Sequence, residues 1–253
     1  MPIVPVMDVS GVAVFAAFSL FLAGLVKGVV GLGLPLVALP LLTMAIGLKP
    51  AVGLLVVPIF TSNLVQSFQG GQFVPTLRRF WPVFLPLIGF SMFSTQALVI
   101  LPERYLAGFI GVAVISFPSI THFQPRVRIS PKQERWIGAL AGTVAGILGG
   151  ATTFYGPPLM LFLAGLRLPK DGFVAAVSLL FLMGSIGLSA GLLSFGITAA
   201  GELPLSAAAA LPVFVGLLAG QQVRRRLDER RFANLLLLVY LASGASFLLK
   251  AVL

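Results

Sequence analysis

Eight long apolar runs, near residues 11 to 46, 51 to 69, 80 to 101, 105 to 121, 136 to 166, 173 to 195, 203 to 223 and 232 to 252, constrain this chain more than any other feature. A helix needs about 20 apolar residues to cross the hydrocarbon core, and only helices or closed barrels satisfy their backbone there. The runs do not alternate apolar and polar residues as barrel strands do, so they predict an all-α integral membrane protein. Composition agrees: 58% of the 253 residues are hydrophobic and 9% are charged, against about 25% charged in soluble domains. Soluble enzymes, nucleic-acid binders and disordered proteins are therefore excluded as readings of the whole chain. The net charge of +10 is scattered over short loops, where Lys and Arg orient membrane segments. With no Cys and a single His122, neither a thiolate nor a multi-histidine metal site is available, and no cofactor is expected. The first ten residues carry Asp8 but no basic residue, unlike the start of a cleaved signal, so the N-terminus is expected to remain in the mature chain.

The first and fifth runs are too long for one plain helix, and they are also the best-matched parts of an internal repeat. Leu22-Ala23-Gly24, Val26, Gly28 and Gly31 recur as Leu140-Ala141-Gly142, Val144, Gly146 and Gly149, at an offset of 118 residues. The match continues ungapped through Pro40-Leu41 with Pro158-Leu159, and Gly47-Leu48-Lys49 with Gly165-Leu166-Arg167. Further on, Leu85-Pro86, Gln96, Leu101 and Glu103-Arg104 face Leu211-Pro212, Gln222, Leu227 and Glu229-Arg230 at an offset of 126. The second half thus carries about eight extra residues, expected around Phe195 to Pro204. The chain therefore divides into a first membrane repeat at 1–121, a basic cytoplasmic linker at 122–135 and a second membrane repeat at 136–253.

Loop charge chooses between two topologies. If every run crosses once, Lys and Arg split about seven to nine between the two sides, which is no bias. If the two long runs enter and return on one face, about thirteen gather on one side, and only Lys49, Arg104 and Lys250 stay opposite. The second arrangement predicts two broken, re-entrant helical hairpins, six full crossings and two inverted halves; the eight-crossing arrangement is the alternative.

Each hairpin is expected to break at a glycine- and proline-rich stretch, Gly28 to Pro35 in the first half and Gly146 to Pro158 in the second, with a new half-helix starting at Pro35 and at Pro157. Amide groups exposed at such a start cost several kcal/mol each in a membrane unless a partner meets them. An anion meets that need, because a helix N-terminus carries convergent donors and about half a positive charge. Gly24 to Pro40, with its Gly-x-x-Gly-x-Gly core, and Gly142 to Pro158, with Gly-x-x-Gly-Gly, resemble the paired signatures of the TauE/SafE sulfite exporter family. Length, the eight runs and the central basic linker match as well. The first motif reads Gly31-Leu32-Gly33, where the family often runs several glycines together. The resemblance implies transport of sulfite, thiosulfate or small organosulfonates, often outward across the bacterial inner membrane.

The substrate-binding candidates cluster at the breaks: Lys27, Gly31, Gly33, Pro35, Asn63, Gln66, Gly149, Gly150, Thr152, Thr153, Tyr155 and Pro157. Lys27 lies inside an apolar run, where a cation is costly and marks function by default, and its mate at offset 118 is Ala145; the competing reading is a snorkelling lysine. Ser62, Asn63, Gln66 and Gln69 recur at helical spacing as a polar stripe, which either lines a path or bonds helix to helix. Thr152, Thr153 and Tyr155 offer hydroxyls beside the second break, for an oxyanion or for capping the broken backbone. Gln96 and Gln222 are expected in packing or headgroup contact, Arg224 to Arg231 in orientation and anionic-lipid contact, and His122 in a solvated linker. Glycines four apart, such as Gly24 with Gly28 and Gly187 with Gly191, fit close helix packing.

Gly187-Leu188-Ser189-Ala190-Gly191 matches the nucleophile elbow of serine hydrolases, but Ser189 sits in an apolar helix and the single His lies in the basic linker. The chain is therefore not expected to be an enzyme. Its carboxylates fall at the ends of the runs, so no buried carboxylate relay is expected. A dianion leaving a negative-inside cell gains about 4.6 kcal/mol per 100 mV, enough for export without a coupling ion. The sequence thus predicts a secondary permease of the cell inner membrane, exporting a small sulfur-containing anion by alternating access. The alternative is a non-selective anion channel or a membrane scaffold. Expected partners are the anion and membrane lipids, with no nucleic acid; a homodimer is left open.

Overall fold

A computed structural model of the chain describes residues 9–31, 33–68, 73–123, 128–168, 170–224, 226, 238, 241 and 244–249. Every regular element among them is helical: α1 Val9–Val30, α2 Leu34–Ile46, α3 Leu48–Leu54, α4 Val56–Ser67, α5 Phe73–Ser94, α6 Ala97–Ile100, α7 Glu103–Phe123, α8 Pro131–Thr152, α9 Gly156–Leu166, α10 Lys170–Ser194 and α11 Leu203–Arg224. Residues 244–249 are helical as well. Five stretches, Ser10–Val29, Leu48–Ser67, Phe73–Ile100, Ala175–Ser194 and Leu203–Val223, are long and apolar enough to cross a membrane.

Backbone chemistry sets the breaks. Gly31 ends α1 with φ 85°, its N–H donating to the Lys27 carbonyl at 2.7 Å, and Gly33 at φ 94° turns the chain into α2, whose first turn holds Pro35. Thr153 ends α8 the same way at φ 66°, donating to the Gly149 carbonyl at 2.6 Å, and α9 opens at Gly156 with Pro157 in its first turn. At the surface, Pro131 starts α8 and the Gln133 side chain accepts from the Ser130 N–H at 3.3 Å. The second apolar run bends at Leu55, between α3 and α4. There Ser206 repairs the ladder, accepting from Val57 N at 3.0 Å and donating to the Leu54 carbonyl at 2.9 Å.

Helices then pack backbone to backbone through glycine, crossing between the sequence halves: α1 lies on α11, and α8 lies on α5. A Cβ on Gly24 would come within 2.2 Å of the Val213 carbonyl oxygen, and one on Gly28 within 2.2 Å of that of Leu217. Their counterparts are Gly146, 2.8 Å from the Leu87 oxygen, and Gly150, 2.0 Å from that of Ser91. Contact numbers rise together along both pairs, so the paired helices run parallel. Gly187 meets Ile88 and Gly191 meets Met92, so α10 also runs parallel to α5. Val57 lies by Ser206, and Asn63 bonds Lys27, whose neighbour Gly28 packs on Leu217 and Gly220, giving α4 and α11 the same direction. A bidentate ion pair, Arg79 to Glu134 at 2.6 and 3.0 Å, ties α5 to α8 near their first turns.

The glycine pattern fits itself after a slip of one turn, and so does the packing: Gly142, Gly146 and Gly150 meet Val83, Leu87 and Ser91 in succession, as Gly24 and Gly28 meet Val213 and Leu217. The break points, Gly31 with Pro35 and Thr153 with Pro157, lie 122 residues apart. One expectation is corrected. The helix before each break is no half-helix: α1 and α8 have 22 residues each, about 33 Å long. In the 122–135 stretch, α7 runs through His122 to Phe123 and α8 starts at Pro131. Most of the expected last run, 232 to 252, lies outside the described residues.

The close approach predicts an asymmetric response to glycine substitution. Gly28→Val drives side-chain carbons into the α11 backbone and costs about 3 kcal/mol or more. Gly89→Ala, where a Cβ meets nothing within 4 Å, is neutral or stabilising by up to about 1 kcal/mol. Thermal unfolding of the two variants in detergent checks this; equal midpoints would show that α1 and α11 are not packed so closely.

Candidate functional site

The two breaks meet at one cavity. Lys27 from the end of α1, Gly33 to Leu36 at the start of α2, Ile59 and Asn63 from α4, and Thr153 to Pro157 between α8 and α9 line it, with Val114 of α7 and Phe181 of α10. Val114 and Phe181 stand at the middles of their helices, so the cavity lies at mid-depth in the bundle. About 30 Å³ is open to the centre of a water-sized sphere, room for two or so waters. Both short helices, α2 and α9, begin at its wall, and their first-turn amides have no partner within the helix.

Lys27 supplies the charge. It is only 2% exposed, and its Nζ donates to Asn63 Oδ1 at 2.6 Å. Among the described residues no carboxylate accompanies it, and the ion pair formed there, Arg79–Glu134, is remote at the surface. An ammonium has three protons to donate, and the Asn63 carbonyl takes one of them. Asn63 keeps its amide N–H groups for another acceptor. Thr153 is 3% exposed, its hydroxyl has no partner, and its β-branched backbone is held at positive φ, a combination that is costly and gathers at binding sites. A buried ammonium with protons beyond the one given to Asn63, an unpartnered hydroxyl and two helix starts at one small cavity offer more donors than acceptors. The arrangement suits an oxyanion.

Of the sequence candidates, Lys27, Gly33, Pro35, Asn63, Thr153, Tyr155 and Pro157 come together on this wall. The others do not line it. Gly31 terminates α1. Gly150 is used in packing against Ser91, and Gly149 lies under the Tyr155 ring, where a Cβ would be 2.0 Å from ring carbons. The Thr152 hydroxyl is used locally, donating to the Leu148 carbonyl at 2.6 Å and accepting from Phe154 N at 3.2 Å, so of the two threonines its neighbour is the one left open. Gln66 stands one turn beyond Asn63, buried, with Oε1 unpartnered.

Tyr155 contributes its ring to the wall while its hydroxyl donates to the Gly184 carbonyl at 2.8 Å and meets Ser91 Oγ at 2.9 Å, clamping the second break to α5 and α10. Ser62 bonds the Ile59 carbonyl in its own helix at 3.2 Å. Gln96 and Gln222 are exposed. Gln69 and the His122 side chain lie outside the described residues. Sequence reasoning missed Ile59, which shares the Asn63 stripe four residues earlier, and Leu34, Leu36, Val114, Phe154 and Phe181, which nothing distinguishes from other apolar residues in their runs.

Thr153→Gly separates stability from binding. Relief of the positive φ should stabilise the protein by about 1 kcal/mol, while loss of the hydroxyl weakens oxyanion binding several-fold, as read by unfolding midpoint and by sulfite titration of the purified protein. Unchanged sulfite binding would mean that this hydroxyl does not face the ligand.

The family described as Sulfite exporter TauE/SafE matches over residues 16–247. No curated protein and no solved structure matches the chain. That family consists of transporters, and a match over nearly the whole length, with apolar helices able to cross the membrane several times, makes this chain a multi-pass membrane protein of the TauE/SafE sulfite exporter family.

Proposed function

We propose that the protein is a secondary permease that exports a small sulfur-containing anion, sulfite, thiosulfate or an organosulfonate, across the cell inner membrane, with the mid-depth cavity as its binding site. The single observation that carries this reading is Lys27, an ammonium buried without a carboxylate among the described residues, where two interrupted helices begin. Lys27, Asn63 and Thr153 bind the anion directly. Gly33, Pro35 and Pro157 start the helices whose amides face it, and Gly31, Gly149, Gly150 and Thr152 shape the breaks around it. Gln66 stands next on the same helix, as the anion's partner on entering or leaving.

The chain divides into a first repeat at 1–121, the connection at 122–135 and a second repeat at 136–253, arranged as inverted halves. Helix direction supports this. If each long element crossed once, α5 and α10 would run opposite ways, as would α4 and α11. Both pairs are parallel, which fits α1 with α2, and α8 with α9, each going in and coming back. The same arrangement places the basic residues of the connection and of the 224 to 231 cluster together in the cytoplasm. An odd number of passes in the first half then inverts the second. Each half lends its first helix to the other, α1 to α11 and α8 to α5, so rocking one pair against the other opens the cavity to either side in turn.

Efflux of labelled sulfite from proteoliposomes holding the purified protein, at several imposed potentials, tests the proposal. The expected result is saturable efflux that grows with an inside-negative potential and falls at least tenfold, as an order of magnitude, in Lys27→Met. Flux no greater than that of empty liposomes would overturn the sulfur-anion assignment. Flux without saturation would replace the carrier by a channel.

A further inference from the structure

Two buried polar groups without a protein partner stand directly beside the cavity, and both on the same side of it. Gln66 and Ser178 are each 1% exposed, and neither Gln66 Oε1 nor the Ser178 hydroxyl has a partner. Gln66 follows Asn63 by three residues on α4, and Ser178 precedes Phe181 by three on α10, so each shares a helix face with a residue of the cavity wall. The two helices pack on each other and run in opposite directions. α4 ends where α5 begins, with the rings of Phe68 and Phe73 stacked at 4.4 Å, and α10 packs on α5 in parallel. A step forward along α4 and a step back along α10 therefore lead the same way, about 4.5 Å beyond the cavity wall. That way lies the end of the bundle where α5 carries Arg78 and Arg79.

Toward the other end the equivalent positions are apolar or already bonded. Leu55, Ile59 and Leu182 are buried there. Ser185 is as buried as Ser178 and follows it by seven residues on the same helix, but its hydroxyl donates to the Leu182 carbonyl at 2.7 Å. Ser62 is likewise bonded to the Ile59 carbonyl. Thr198, whose hydroxyl also lacks a partner, lies by Gly53, ten residues before Asn63 and about 15 Å along the bundle. A buried amide oxygen or hydroxyl left unmet is costly, so such groups are met by water or by a ligand.

We propose that Gln66 and Ser178 form a hydrated subsite through which a small anion passes between the cavity and the end of the bundle at Arg78 and Arg79, while Leu55, Ile59 and Leu182 close the opposite end. The Ser178 hydroxyl donates to the anion, and Gln66 Oε1 accepts from the water that travels with it. Only the passage of an anion rests on the permease reading; the hydration of the subsite does not.

Single cysteines in this cysteine-free chain test the subsite by their reaction with a membrane-impermeant anionic methanethiosulfonate. The full-length protein is labelled in intact cells and in inverted membrane vesicles, with Arg78→Cys marking which face is which. Ser178→Cys and Ser185→Cys are a matched pair in residue type, helix and burial. Ser178→Cys and Gln66→Cys are expected to react about tenfold or more faster than Ser185→Cys, from the face that labels Arg78→Cys. Ser178→Cys reacting no faster than Ser185→Cys, or from the opposite face, would overturn the proposal. Should Gln66→Cys fail to fold, the serine pair decides. Labelling as expected, with no sulfite efflux from proteoliposomes of the unsubstituted protein, would remove the permease and leave the hydrated subsite; efflux without labelling at position 178 would do the reverse.

Discussion

An ammonium group held at mid-depth against a single amide oxygen, Lys27 on Asn63, is the interaction on which the rest of the site depends. Taking such a charge out of water costs several kcal/mol even after relaxation. One hydrogen bond from a charged donor returns about 1.5 to 3 kcal/mol, so Asn63 alone does not offset the burial. Something must compensate the remainder. Among the described residues no carboxylate does, and the surroundings are the starts of α2 and α9, which carry partial positive charge themselves. Each of these features favours an anion in the cavity, and together they support the proposal that the counter-charge of Lys27 is the cargo.

The rest of the fold can be read as the means of holding that group where it is. Glycine on α1, α8, α10 and α11 lets the helices touch through their backbones, and the resulting contact is firm because packed helices with small residues approach closely in lipid. The breaks come at the ends of these tight pairs: α1 stops one turn after Lys27, and α8 stops at Thr153. Tyr155 then anchors the second break through Ser91 and Gly184, on two different helices. A break without such anchoring would expose backbone groups to hydrocarbon; here the cavity wall and the neighbouring helices receive them.

Much of this is legible in the sequence, and the failures have physical causes. Hydropathy marks the helices because lipid demands long apolar runs, and glycine with proline marks the breaks because few other residues tolerate those conformations. Lys27 stands out because charge is rare in such a run. Register is not legible: a motif with glycine every fourth residue looks alike after one turn, so the match that sets Lys27 against Ala145 competes with one that sets it against Gly149, under the Tyr155 ring. Thr152 and Thr153 are equivalent on paper, yet helix geometry lets the first bond back to Leu148 while the second, already past the helix end, cannot. The apolar wall at Val114 and Phe181 is invisible for a plainer reason: residues that close a cavity in a membrane protein have the same character as those that face lipid.

Chemical restoration of the charge tests the central claim most directly, and a chain with no cysteine of its own permits it. Lys27→Cys, alkylated in one sample with 2-bromoethylamine to rebuild an ammonium of nearly lysine length and in another with iodoacetamide to give a neutral amide, would be compared in sulfite efflux. A cargo-binding ammonium predicts that the unmodified and amide forms are inactive and that the ammonium form recovers transport. Equal efflux from the amide and ammonium forms would contradict it, because the positive charge at position 27 would then not be what the anion meets.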